Sequence, residues 1–468
     1  MENTGFKPER VFLILCLFWG LLYLFVSPPF TAADECCHFW KIYLISKGTI
    51  SAKKLTSYVV NGEKKDKVSS MTGDYMPLGM YKAGYKNLRT KWNYNEKTNL
   101  SETKEILSYQ LEKNKMVFNA FVVPAYTIFS YLPSVVLMKI MTLANINPGV
   151  MMYVLRLVSL VTYTALIYAA IKVIPFKKWL FVSLALLPTA VYQASMINTD
   201  GITIGTGFLF IAFTLYYAFG KNTGVIGKKQ LVIYLGIGLW FLVCKFAYAP
   251  VLLIYFLIPK EKFESEKLRY KAFGLTVVIL FLFVLLLFCL NSIVVSYTDF
   301  YYFRYTAFAL LIHKPLIFFK ALLYTVIVKG RDFFTGVIGS FGWGELKVPF
   351  YSASLYYFSL ILFSLFNFKE DENEKIIGLK DKILFLFIFV SYFFLLFVLL
   401  FLNFQISQDG IIAGFWGRYF ISVLPLLFLC LQNKKFFVKT NTLMFVNLFF
   451  INFVLFVSLI RILYRFYV

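Results

Sequence analysis

Blocks of roughly 17 to 25 apolar residues recur along this chain of 468, the length at which a helix rising about 1.5 Å per residue crosses the ~30 Å hydrocarbon of a bilayer. The repetition predicts an all-α integral membrane protein, a single polytopic domain over residues 1–468. Composition agrees: 60% of residues are hydrophobic and only 15% charged, against about a quarter charged in soluble domains. Too little polar surface remains to keep such a chain in water. The formal charge of +23 does not call for a nucleic-acid partner. Lys and Arg sit between the apolar blocks, where anionic lipid headgroups and the positive-inside bias favour them.

The first apolar run, residues 11–26, follows Lys7 and Arg10 and stops at Pro28-Pro29-Phe30, a poor cleavage context. It reads as an uncleaved first span, 10–27, with a cytoplasmic N-terminus. A polar region rich in Lys, Tyr and Asn follows. Within 28–149, the first extracytoplasmic loop, residues 121–143 are apolar but not a span. Two spans at 121–143 and 148–173 would put later loops on the wrong side. One span puts Lys172, Lys177, Lys178, Lys221, Lys228 and Lys229 inside and Asn198-Thr199-Asp200 outside. Residues 121–143, with Pro124, Tyr126, Tyr131 and Pro133, suit a helix lying at the outer interface.

The bundle continues over 150–295, with spans expected at 179–194, 202–219 and 273–295. Residues 231–258 are interrupted by Lys245 and Pro250 and have basic flanks, which predicts two half-helices turning back near Lys245. A second extracytoplasmic region covers 296–350. It contains Arg304, His313, Arg331, Asp332 and the Gly-rich stretch 336–344. Spans at 351–368, 383–402, 419–431 and 442–460 complete the C-terminal part, 351–468. The count is about ten or eleven. Arg461 and Arg465 then fall outside, against the positive-inside trend. The six cysteines, Cys16, Cys36, Cys37, Cys244, Cys289 and Cys430, show no metal-type spacing and no disulfide framework.

The densest chemistry is Thr31-Ala32-Ala33-Asp34-Glu35-Cys36-Cys37-His38, just beyond the first span. In a helix, Asp34 and Glu35 lie four and three residues from His38 and share its face. A carboxylate there can act as a general base on a hydroxyl. Alternatively, Thr31-x-x-Asp34 is a capping box whose acid closes a helix end. Glu35-x-x-His38 supplies two ligands for a divalent metal, with no further Cys/His set to complete a site. Arg156, Lys245 and Arg418, with Asp200 at a membrane edge, are ionisable groups in or near hydrocarbon and candidate functional residues. The other reading is snorkelling to the headgroups. Asn99-Leu100-Ser101 is a glycosylation-type sequon, a frequent chance match.

These residues resemble a bacterial family, domain of unknown function 2142, considered akin to the GT-C glycosyltransferases. The resemblance rests on Asp34-Glu35-x-x-His38, Pro124-Ala125-Tyr126, Tyr153-x-x-Arg156 and Gln193-Ala194-Ser195 with Asp200. It continues through Lys245-x-x-Tyr248-x-Pro250, Gly339-x-x-Gly342-Trp343 and Gly417-Arg418-Tyr419-Phe420. The usual first-loop form has Pro directly before the acidic pair, where this chain has Ala33. The resemblance implies a GT-C-like bundle in the cell membrane that transfers a sugar from a polyprenyl-phosphate donor to a cell-envelope glycan or lipid-linked acceptor. It makes Asp34 the base, with Glu35 and His38 orienting it or binding a metal. Arg156, Lys245 and Arg418 would hold the donor phosphate, with Tyr126, Asp200, Tyr248, Trp343 and Tyr419 in support. The rival readings are a flippase for lipid-linked sugars and a non-catalytic partner in polysaccharide assembly.

Overall fold

The computed structural model describes residues 7–49, 53–60, 63–119, 127–221, 223–295, 300–368, 377–404, 406–433, 435–438 and 440–468, with side chains apart from those of 53–72, 287–295, 300–305, 368 and 440–442. Helix α1, Pro8–Val26, begins at a proline and stops at Ser27, before Pro28. Phe12, Cys16, Trp19, Tyr23 and Leu24 are buried, whereas Ile14, Phe18 and Phe25 are exposed. Apolar side chains on both faces are what a span needs, one face against protein and one against lipid.

The first loop folds into a cap. It contains α2 (Glu35–Ser46), β1 (Lys53–Val60), β2 (Glu63–Pro77), α3 (Leu78–Tyr85), α4 (Leu100–Ser108), β3 (Met116–Asn119) and α5 (Leu132–Leu143). The strands pair antiparallel in the order β1-β2-β3. Phe39, Trp40, Met76, Met80, Ile106 and Met138 form a core of their own, which meets the bundle through Met151, Met152 and Leu155. Helix α5 has 12 residues, about 18 Å at 1.5 Å per residue and too short to span. It packs on α2 and on the next helix. The apolar residues 132–143 thus lie in the cap layer; residues 120–126 are outside the described residues.

The bundle comprises α6 (Pro148–Val173), α7 (Lys178–Ala185), α8 (Pro188–Ala194), α9 (Asp200–Phe219), α10 (Lys228–Cys244) and α11 (Glu266–Val295). After these come α12 (Phe300–His313), α13 (Pro315–Ile338), α14 (Phe350–Leu365), α15 (Leu379–Phe404), α16 (Leu424–Leu429) and α17 (Thr440–Tyr467). Helix α9 is central, with 83% of its apolar window buried, against 17% for the peripheral α11. Glycine lets α9 and α6 approach closely: a Cβ on Gly205 would lie 2.9 Å from Leu166.

Among the described residues, six helices are long and apolar enough to cross a membrane, or seven if the α12–α13 pair, bent by 101°, is one span. The protein is an all-α multi-pass membrane protein. The remaining apolar blocks are shorter helices. Residues 179–194, expected as one span, are split at Pro188 into α7 and α8, nearly all buried. Residues 231–258 fold as α10, a turn at Lys245 and a 3-10 segment, Phe246–Leu257, containing Pro250. A second 3-10 segment, Gly417–Val423, leads into α16. The expected outer region 296–350 is largely helical, ending in a hairpin of β4 (Ser340–Phe341) and β5 (Leu346–Lys347).

Both ends of the bundle are tied by cations on carbonyls. At the cap, buried Arg465 donates to Thr90 O at 2.7 Å, Asn93 O at 3.0 Å and Glu96 O at 3.0 Å. The C-terminal end of α17 therefore lies on the cap face, and the Arg465 charge is absorbed by loop backbone. At the far end, Lys177 Nζ donates to Phe363 O and Phe366 O, the last carbonyls of α14, where helix termini favour cations.

Candidate functional site

The acidic pair after α1 splits in two. Glu35 opens α2 with its carboxylate turned into the protein, where Arg156 of α6 meets it twice: Nε to Oε1 and Nη2 to Oε2, both 2.7 Å. Arg156 also donates to Leu24 O, Ser27 O and Pro28 O at 2.9, 2.7 and 3.0 Å. These five bonds use all five guanidinium N–H groups. The Ile197 amide adds a bond to Oε1 at 3.2 Å. Both side chains are 0% exposed. The cluster closes the chain end of α1, where Pro28 and Pro29 leave carbonyls without helical partners, and it has no capacity left for a ligand.

Asp34 is the opposite case. It is exposed and is the N-cap of α2, but its φ of 56° is left-handed and its side chain makes no cap hydrogen bond. Thr31 donates instead to Pro28 O. The capping-box alternative is not realised, and the Asp34 carboxylate is available to solvent. The Ala33 amide bonds Gly342 O at 2.9 Å, pinning this turn to the β4–β5 hairpin.

His38, one turn on, is buried, with Nδ1 2.6 Å from the Tyr131 hydroxyl. Burial pushes its pKa down to about 3; Lys245 and Arg418 press the same way, and Asp200 opposes them. The ring stays neutral and senses a second charged cluster. Glu35 faces Arg156 and His38 faces Tyr131, so the pair does not converge on a common point. Among the described residues, no group of three or more His, Cys, Asp or Glu is arranged to hold a metal.

The second cluster joins three distant segments. Asp200, at the start of α9, takes Lys245 Nζ on Oδ1 and lies 3.1 Å from Arg418 Nε through Oδ2. Two cations share one carboxylate. The Lys245 and Asp200 side chains are 14% and 10% exposed. Lys245 also lies 4.7 Å from the centre of the Tyr419 ring. Tyr248 and Tyr392 stack with centroids 4.8 Å apart and both donate to Tyr419 O, at 2.5 and 2.6 Å. Lys245, Tyr248, Tyr392 and Tyr419 form one end of a cavity of about 260 Å³, whose other walls include Phe283, Val284, Leu396, Leu399 and Leu400.

Of the remaining candidates, Trp343 sits in the hairpin turn, 6.0 Å from Trp92 ring to ring, with Lys91 Nζ 3.9 Å over its centre. Tyr126 lies outside the described residues. Asn99 is the N-cap of α4, its side-chain oxygen accepting from the Glu102 amide at 2.9 Å; the sequon residue is used as a cap. Sequence reasoning gave Tyr131 only as an interfacial aromatic and missed Tyr392, for which the chain carries no signal.

A cap over one end of a helical bundle, with a largely buried charged cluster beside an apolar cavity, defines a polytopic membrane protein. A family model described as a predicted membrane protein, domain of unknown function 2142, matches residues 17–427, and the chain belongs to that family. No curated protein and no solved structure matches it.

Proposed function

We propose that this protein is a glycosyltransferase of the cell membrane that uses a polyprenyl-phosphate sugar as donor. The observation that carries the reading is the Asp200–Lys245–Arg418 cluster, which meets an apolar cavity through Lys245. Its guanidinium and ammonium groups suit a phosphate, which they bind by charge-assisted hydrogen bonds. The leucine-lined cavity suits the first isoprene units of the tail. As the anomeric C–O bond breaks, the leaving phosphate keeps the electron pair and gains charge, which Lys245 and Arg418 stabilise.

Asp34 is the base in this scheme. It takes the proton of the acceptor hydroxyl while that oxygen bonds the anomeric carbon. Asp200 is poorly suited, because its carboxylate is held by two cations. Glu35 is fully occupied by Arg156 and the Ile197 amide. Arg156 accordingly moves from the phosphate site to the framework, and His38 and Tyr131 position α2 beside the cluster. The cap face is the extracytoplasmic face on this reading, and the N-terminus is cytoplasmic.

The test is transfer of labelled sugar from a panel of polyprenyl-phosphate sugars by the protein in nanodiscs, with envelope glycan as acceptor. Wild type transfers; Asp34→Asn binds donor equally but loses about 10²- to 10⁴-fold in rate, the usual contribution of a general base. Donor binding without transfer by the wild type across the panel would overturn the enzyme in favour of a flippase.

A further inference from the structure

A larger cavity, about 710 Å³, lies beside the cationic cluster. One short segment divides the two spaces: Trp416 and Gly417 line the larger cavity, Arg418 forms an ion pair with Asp200, and Tyr419 lines the smaller. Its walls come from the cap (Trp92, Tyr94), the end of α13 (Arg331, Asp332), the hairpin (Glu345, Lys347) and α17 (Arg461). Cavities of about 300–1,000 Å³ take small ligands.

The lining is aromatic and charged. Trp92 is 61% exposed at the cavity wall, a large apolar ring left in contact with water. Glu345 is unusual in the opposite sense. Its side chain is only 8% exposed, and the nearest cation, Arg465 Nε, is 3.6 Å from Oε1. Both carboxyl oxygens are sealed inside the turn; Gly342 has φ +61°, and a Cβ on it would lie 2.7 Å from Glu345 Oε1. The accessible carboxylate of the lining is Asp332, its side chain 51% exposed. Tyr94, also well exposed, stands with Trp92 on the wall. Exposed aromatic rings beside a hydroxyl-accepting carboxylate suit a carbohydrate. The balance of charge selects among carbohydrates: Lys329, Arg331, Lys347 and Arg461 stand against Asp332 and Glu345, four cationic groups to two acidic ones.

We propose that this cavity binds an acid-bearing oligosaccharide, with Asp332 accepting sugar hydroxyls, Trp92 covering a sugar face and Arg331 meeting the acidic group. That the oligosaccharide is the acceptor rests on the transferase reading; that it binds here does not.

The test is equilibrium binding to the full-length protein in nanodiscs, using a hyaluronan tetrasaccharide as acid-bearing probe and chitotetraose as neutral probe. Wild type binds the acidic probe at least tenfold more tightly. Asp332→Asn and Trp92→Ala each weaken it about tenfold, while Arg331→Ala, a change at an exposed side chain, removes the preference for the acidic probe. Failure of both probes to bind, or binding indifferent to Arg331→Ala and Trp92→Ala, would overturn the inference even if sugar transfer is observed. Binding with the expected variant pattern but no transfer from any donor upholds this site and removes only its role as acceptor site.

Discussion

Two buried acid–base clusters lie near each other under the cap, and they differ in whether a cavity reaches them. Around Glu35 and Arg156, one anion meets one cation, every guanidinium N–H has an acceptor, and exposure is zero. Around Asp200, one anion meets two cations at the end of a cavity. The first is saturated and neutral, so it can serve only the fold. The second meets a cavity through Lys245, so an anion from outside has a route to it. An ionisable residue in an apolar block marks a special position; its access to a cavity tells structure from site.

The comparison predicts that breaking the closed cluster harms the fold most. Arg156→Ala leaves Glu35 as a buried charge without its partner, which costs about 3–5 kcal/mol. The expected outcome is a collapse of yield and a large fall in Tm in nanodiscs; a normal Tm would mean that the cluster is not the strut described. Lys245→Ala and Arg418→Ala fall next. Each should weaken polyprenyl-phosphate binding about 10- to 100-fold, as loss of a charged hydrogen bond worth ~1.5–3 kcal/mol implies, with a smaller effect on Tm. An equal effect on binding from Arg156→Lys would erase the distinction between the clusters.

Acid should act through His38. Its folded value is about 3 against an ordinary 6.5, so between these values the unfolded chain takes a proton that the folded chain refuses. The stability contributed by the neutral ring is present above pH 6.5 and is lost as pH falls toward 3. At pH 5 the loss is about 2 kcal/mol. Tm measured at pH 7 and pH 5 should fall more for wild type than for His38→Gln; equal falls would contradict the assignment. The smallest effect is Asn99→Ala, which removes the cap of α4 at a cost of about 1 kcal/mol and should lower Tm slightly without changing donor binding.

Much of this was legible in the sequence. The apolar blocks gave the membrane class; charge counting set residues 121–143 apart from the spans, and their described part contains the 12-residue α5. The acidic pair was visible as a group, but its division of labour was not. Neighbouring positions at a helix start point about 100° apart, so whether Asp34 or Glu35 faces inward depends on a left-handed φ that spacing does not reveal. The partners were hidden for another reason: Glu35 and Arg156 are 121 residues apart, and Asp200 and Lys245 are 45 apart. A single chain carries no signal of such pairings. The cap was read as a polar loop because its core, built from scattered residues such as Trp40, Met76 and Ile106, has no long apolar run.

The most direct measurement is binding of polyprenyl phosphate to the protein in nanodiscs, wild type beside Lys245→Ala and Asp34→Asn. The account predicts binding by the wild type, unchanged binding by Asp34→Asn and at least tenfold weaker binding by Lys245→Ala. Equal binding by all three would contradict the claim that the open cluster is the phosphate site.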